Sequence, residues 1–131
     1  MKPRDTLYRL ARPGGEFNKL YAMVRRSRYP MQKLEWPVVV AVRDGDIIGF
    51  IATHPRDDAI VAGPLLLKDE RNPFVFMRLV QAYENVLQYA GVKSYLFNVE
   101  KSNFSYIHSV QAVGVPLIAE DDNTMLFKRE L

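Results

Sequence analysis

The sequence predicts a mixed α/β fold, a mixed sheet covered by helices, and three observations carry that reading. Two β-branched runs, Val38 to Val42 and Ile47 to Ala52, flank Arg43-Asp44-Gly45-Asp46, where Asp-Gly supplies the positive φ angles of a tight hairpin turn. Phe76, Leu79, Val80, Tyr83, Leu87 and Ala90 recur at helical spacing behind Asn72-Pro73, a capping residue followed by a proline suited to the first helical position. Strand-like and helix-like stretches also succeed one another along the whole chain, from which a mixed sheet covered by helices follows.

The elements follow in order. Tyr8 to Arg12 reads as a short opening strand, broken by Pro13-Gly14-Gly15. From Glu16, Phe17, Leu20, Tyr21 and Val24 form the stripe of a helix with one buried face, which stops near Arg28. Tyr29 to Trp36 is expected to form a short second helix, ended by Pro37. The hairpin comes next, and after His54-Pro55-Arg56-Asp57-Asp58 the run Ile60 to Leu67 reads as a third hairpin-connected strand. Pro64 cannot donate to a ladder, so Gly63-Pro64 predicts a bulge or a strand splayed from its neighbour. The long helix spans Pro73 to Ala90 and closes at Gly91, where a left-handed residue is wanted. Ser94 to Val99 is a strand, and Ser102 or Asn103 caps a helix running to about Val113 and ended by Gly114. Val115 to Ala119 and Thr124 to Lys128 are two last strands around the polar turn Glu120 to Asn123.

Composition bounds the function. The 131 residues are 48% hydrophobic and 25% charged, the make-up of an ordinary globular chain with the length of one domain, and no repeat or linker divides residues 1–131. The absence of cysteine excludes a disulfide framework, a thiolate nucleophile and a cysteine-held metal, and it agrees with a reducing cytoplasm. No apolar stretch approaches the roughly 18 residues of a membrane span, so no membrane association is expected. Residues 1–36 carry nine basic and three acidic side chains, whereas the remainder carries nine and twelve. Arg25, Arg26 and Arg28 sit where a helix should end, and cations there complement the helix dipole. With no aromatic nucleic-acid motif beside them, nucleic acid is not expected as a partner. His54 and His108 lack ligand spacing, so no metal is expected, and surface roles are assigned to both.

The element order, with a long helix after the fourth strand, resembles the GNAT superfamily of acyl-CoA-dependent N-acetyltransferases over nearly the whole chain. That family places an Arg/Gln-x-x-Gly-x-Gly/Ala loop at the start of the long helix and a glycine about twenty residues on, and Arg71 and Gly91 stand in that relation. Its next strand ends in a valine four residues before an asparagine, and a Gly-Phe pair follows the asparagine by eleven and twelve; Val99, Asn103 and Gly114-Val115 keep the spacing. The resemblance implies a central mixed, mostly antiparallel sheet flanked by helices. It also implies acetyl-CoA as co-substrate, a small-molecule or peptide amine as acceptor, and splayed fourth and fifth strands that hold the pantetheine arm.

Residue by residue, the resemblance assigns main-chain groups of Leu65, Leu66 and Leu67 and the side chain of Asn103 to the pantetheine arm. Arg71, the Asn72 cap and the amides of Phe74, Val75, Phe76 and Met77 would face the phosphates. The chain departs from the pattern at the two loop glycines, which are Phe74 and Phe76, and at the tyrosine seven residues after the asparagine, which is Val110. Tyr106 and Ser109 on the same predicted helix, and Glu70 beside the loop, are the remaining candidates for proton transfer, since the fourth strand holds no carboxylate. Trp36 and Tyr29 are candidates for an acceptor pocket. These departures leave an alternative: a catalytically degenerate GNAT-fold protein acting as a binding or assembly component, similar to short phage-encoded relatives and then resident in host cytoplasm. A homodimer is compatible with either reading.

Overall fold

A computed structural model describes residues 5–27, 31, 33–54, 59–69, 73–112 and 114–131. The elements are β1 (Thr6–Leu10), α1 (Gly15–Arg26), β2 (Glu35–Arg43), β3 (Asp46–His54), β4 (Val61–Leu67), α2 (Pro73–Tyr89), β5 (Ser94–Glu100), α3 (Phe104–Ala112), β6 (Leu117–Glu120) and β7 (Thr124–Glu130). Among the described residues these strands make one sheet in the order β1-β2-β3-β4-β5-β7-β6, antiparallel everywhere except between β4 and β5.

The hairpin forms as expected, with Asp44 at φ 52° and Gly45 at φ 80° in its turn. The strands of β2 and β3 are apolar on both faces because helices cover both. Val38, Val40, Phe50 and Ala52 pack beneath Leu20 and Val24 of α1, while Val39, Ala41 and Ile51 pack beneath Val75, Leu79, Tyr83 and Leu87 of α2. Helix α2 is the longest, and its end is fixed by bonds from Val92 N–H to the Leu87 carbonyl (2.9 Å) and from Gly91 N–H to the Gln88 carbonyl (3.0 Å). At the opposite edge, α1 is tied to β1 by a two-pronged ion pair: Arg9 Nη1 and Nη2 donate to Glu16 Oε1 and Oε2 at 2.9 and 2.6 Å, and Arg12 N–H donates to Oε1 at 2.7 Å.

Two expectations change. The opening strand is displaced toward the N-terminus, at Thr6–Leu10 where Tyr8 to Arg12 was expected, because its register against β2 runs from Thr6↔Arg43 to Leu10↔Val39. The helix expected over Tyr29 to Trp36 is not seen: residues 28–30 and 32 lie outside the described residues, Met31, Lys33 and Leu34 are irregular, and Glu35 and Trp36 already belong to β2. Ladder pairing overrides the local pattern there. Glu35 pairs with Thr53, and the Thr53 hydroxyl donates to the Pro37 carbonyl at 3.0 Å, so β2 runs through the proline expected to precede it.

Two stability predictions follow from this packing. A Cβ at Gly49 would stand 2.6 Å from Leu67 Cδ2, 3.1 Å from the Leu66 carbonyl oxygen and 3.2 Å from Leu79 Cδ1. Gly49→Ala is therefore expected to cost about 1–3 kcal/mol in urea unfolding, because backbone on one side prevents full relaxation. The bond and charge of Arg9 hold the Glu16 carboxyl down at about 2, below its ordinary 4.5. A depressed carboxyl stabilises the fold above its unfolded pKa, and that stability is lost as pH falls through the folded value. Glu16→Gln should thus lower stability at pH 7 by about 1 kcal/mol and flatten the acid dependence between pH 4.5 and 2.

Candidate functional site

The fourth and fifth strands pair only at Val61↔Leu96 and Ala62↔Phe97, and then separate. The cause lies in β4. Its register against β3 jumps from Thr53↔Ala62 to Ile51↔Leu65, so Ala52 faces two residues, Gly63 and Pro64. Gly63 sits at φ 135°, a conformation that side chains disfavour, and Pro64 has no N–H to offer a neighbour. This is the bulge expected from Gly63-Pro64, and it opens a fork between β4 and β5.

Beyond the bulge, Lys68 N–H donates to the Ile48 carbonyl at 2.9 Å. The alternation of an antiparallel ladder then gives Leu66 to Phe50 and turns the main chain of Leu65 and Leu67 toward the open side of the fork. The side chains of Leu65 and Leu67 lie on the α2 face, and that of Leu66 lies against the α1 cluster. Leu67 and Val75 also border a shallow cavity of about 100 Å³ shared with Arg43, Ile48, Lys68 and Asp69.

Helix α2 begins just after β4, with the positive end of its dipole beside the fork. Val75 is buried, Met77 is exposed, and the two phenylalanines part company. Phe74 is 76% exposed and so does not fill the fork. Phe76 is half-buried, with its ring edge-on to Tyr106 of α3 at 5.0 Å and 88°, so this pair bridges the two helices. Tyr106 in turn lies 6.5 Å from Phe97, which stacks on Phe127 at 5.4 Å. Glu70, Arg71 and Asn72, like Tyr29 and Arg28, lie outside the described residues.

On α3, Asn103 acts as the cap: its Oδ1 accepts from Tyr106 N–H at 3.2 Å. The Ser109 hydroxyl donates back to the Ser105 carbonyl at 3.0 Å, and Val110 is buried in the core. Trp36 is 60% exposed at the head of β2. Among the described residues no three metal-ligating side chains cluster, and no helix is long and apolar enough to cross a membrane.

Three polar features escaped the sequence. Glu84 of α2 accepts from the Tyr95 hydroxyl (2.7 Å) and from Arg129 Nε (2.9 Å), joining α2 to β5 and β7; burial first, then the bond to Glu84, pushes the Tyr95 phenol far up. Tyr83, next to Glu84, bonds Thr53 of β3 at 2.7 Å, and burial pushes its phenol up to about 12. His54 is half-buried at the end of β3, and its Nδ1 is enclosed without a hydrogen-bond partner among the described residues, contrary to the surface role expected for it. For the first two, the only sequence signal was Tyr83 within the apolar stripe of α2.

No family model and no curated protein matches the sequence. Solved structures do match. Ard1 from Thermoplasma volcanium is 19% identical, with a TM-score of 0.78 over 96% of this chain and 97% of that one. A ribosomal-protein-alanine N-acetyltransferase from Brucella melitensis is 14% identical, with a TM-score of 0.76 over 95% and 99%. A chain of the NatC complex, whose structure holds Gag peptide and CoA, is 13% identical, with a TM-score of 0.80 over 97% and 99%. At these identities the likeness establishes the fold. It is that of the GNAT acetyltransferases, a mostly antiparallel mixed sheet flanked by helices.

The capping role of Asn103 gives a direct test. Asn103→Ala should lose about 1 kcal/mol in chemical denaturation, whereas Asn103→Asp, an equally good cap, should lose little.

Proposed function

We propose that this chain is a GNAT-superfamily N-acyltransferase that moves an acetyl group from acetyl-CoA to a small-molecule or peptide amine. The observation that carries the reading is the fork. A bulge turns the main-chain groups of Leu65 and Leu67 outward beside a strand that leaves them unladdered, and the positive end of a 17-residue helix stands at its mouth. An extended amide-containing arm takes strand-like hydrogen bonds from such an edge, and a pyrophosphate suits such a helix end. In this reading Leu65 and Leu67 bind the pantetheine arm, while Arg71, Asn72 and the α2 amides from Phe74 to Met77 face the phosphates. Asn103 borders the arm while capping α3. The neutral amine nitrogen bonds to the thioester carbon, the C–S bond breaks with its electron pair on sulfur, and the proton that the nitrogen loses as the amide forms passes through water to replace the one given to the thiolate. Tyr106 is the candidate to protonate the departing thiolate; Ser109 and Glu70 are weaker ones, Ser109 because its hydroxyl proton is engaged by its own helix.

The rival reading, binding without catalysis, has one observation in its favour. The Phe76–Tyr106 contact spans from α2 to α3, so the ring that replaces the second loop glycine has a packing role.

A thermal shift separates the two. Acetyl-CoA at 100 times its dissociation constant should add about 2.7 kcal/mol of folding stability. We expect wild-type protein to show such a shift and Phe74→Gly to leave it unchanged. Arg71→Ala should weaken binding in calorimetry at fixed salt. A silent wild type, with a shift appearing only in Phe76→Gly, would establish that the Phe76 ring closes the site.

A further inference from the structure

The edge of β5 that faces the fork runs on past the two-residue seam with β4. Leu96 N–H donates across that seam to the Ile60 carbonyl at 2.8 Å, so alternation turns the main chains of Leu96, Asn98 and Glu100 toward β4 and those of Phe97 and Val99 toward β7. The rungs stop at Ala62↔Phe97, where β4 bulges at Gly63 and Pro64. The next main-chain groups on this edge are the Asn98 carbonyl and the Glu100 N–H, and neither has a rung across the fork. The Glu100 carbonyl is taken by Asn103 N–H at 2.9 Å, which leaves the Asn98 carbonyl as the acceptor that this edge offers.

The side chains add a charge. Tyr95, Phe97 and Val99 are buried on the α2 face, so the side chains of Asn98 and Glu100 stand on the other face, and both residues are exposed. Among the described residues the α1 cluster takes its strand members from β2, β3 and Leu66 of β4, and none from β5. On this face β7 sets Thr124 beside Glu100, Leu126 beside Asn98 and Lys128 beside Leu96. The nearby lysines are engaged elsewhere: Lys128 pairs with Glu130 at 3.5 Å, and Lys101 with Glu120 at 3.2 Å. The Glu100 carboxylate has no ion-pair partner among the described residues.

Order along the fork gives these groups a place in the reaction. Strands β4 and β5 run parallel, so the seam closes one end of the fork and the start of α2 marks the other. An arm bonded to the main chain of Leu67 and Leu65, with its phosphates at α2, runs back toward the seam and brings its far end, the thioester, to the closed end. Asn98 is the first residue of β5 past the seam there, and Glu100 lies about 7 Å nearer the mouth.

We propose that this edge of β5 is the acceptor subsite and takes a primary amine that arrives as an ammonium, an assignment that rests on the acetyltransferase reading above. The Glu100 carboxylate draws the ammonium in from the exposed face. The Asn98 carbonyl accepts an N–H of the amine inside the fork, which fixes the nitrogen beside the thioester and leaves its lone pair free. The shared chemistry is a primary ammonium, whether it belongs to a polyamine or to a peptide N-terminus. In sequence, Asn98 and Glu100 read only as the polar positions of an alternating strand, because nothing local shows that the bulge on β4 strips their edge of its ladder.

The test uses the whole chain. Wild type loaded with CoA is titrated with spermidine, with the peptide Ala-Lys-Ala-Tyr, and with the same peptide N-acetylated, and the carbonyl and carboxyl carbons are followed by NMR. The Asn98 carbonyl and the Glu100 carboxyl should shift with spermidine, with the free peptide or with both, which also tells which source supplies the amine. The N-acetylated peptide should leave the Asn98 carbonyl unmoved. Glu100→Gln should weaken binding of the same probe about fivefold, the size of an exposed ion pair, and Glu100→Asp should weaken it less. Both variants should keep the acetyl-CoA thermal shift. Probes that move neither carbon, an N-acetylated peptide that moves the Asn98 carbonyl as far as the free one, or unchanged affinity in Glu100→Gln overturns the subsite while leaving the cofactor site standing. Wild type that binds neither CoA nor acetyl-CoA overturns the acetyltransferase reading, and the subsite falls with it.

Discussion

The two-residue seam between β4 and β5 is the constraint on which the rest of the structure depends. A parallel pair needs a long crossover connection, and here that connection is α2. The bulge at Gly63 and Pro64 ends the pairing almost as soon as it begins. Strand β5 therefore draws its stability from its other edge, where it is laddered to β7 along its full length, from Ser94↔Glu130 to Glu100↔Thr124. The sheet is in effect two antiparallel halves, β1 to β4 and β5-β7-β6, which touch at Val61, Ala62, Leu96 and Phe97. So small a seam would not hold two halves in a fixed relation.

Helix α2 supplies what the seam lacks. Val75, Leu79, Tyr83 and Leu87 are buried against both halves, and burial of such side chains contributes about 1.5–3 kcal/mol each. Two consecutive residues add direction. Tyr83 reaches Thr53 in the first half, while Glu84 takes Tyr95 and Arg129 in the second. Because the Tyr83, Thr53 and Tyr95 hydroxyls and the Glu84 carboxylate are wholly or largely removed from water, a misplaced half would leave them unpaired. That penalty makes the width of the fork a specified quantity. The aromatic run Phe76, Tyr106, Phe97 and Phe127 fixes α3 over the second half in the same way, by contact between ring edges and faces.

How much of this was legible in the sequence divides along the range of the interactions. The hairpin, the long helix, its Gly91 end, the Asn103 cap and the bulge at Pro64 each rest on residues within a few positions of one another, and local chemistry announces them. The start of β2 does not: Glu35 and Trp36 enter a strand because Thr53, some eighteen residues on, offers a ladder and a hydroxyl. The Glu84 cluster is invisible for the same reason, since Arg129 meets it across forty-five residues. At the site itself, the pair Phe74 and Phe76 at the start of α2 reads in sequence as one feature. In space it is two, because helical geometry sends Phe74 outward and Phe76 inward toward Tyr106.

That division bears on what the two phenylalanines do. They lie at one end of the fork, at the mouth formed by the start of α2, whereas the seam lies at the other. A substitution at Phe74, which is 76% exposed, changes the surface of the mouth. Phe76 differs, because its edge-on contact with Tyr106 ties the start of α2 to α3 and, through Phe97, to the second half of the sheet. The width of the fork is held farther along α2, where Tyr83 and Glu84 engage the two halves. The mouth and the width of the fork therefore rest on different residues of one helix, and the chemistry of the mouth can change while the geometry of the fork stays fixed.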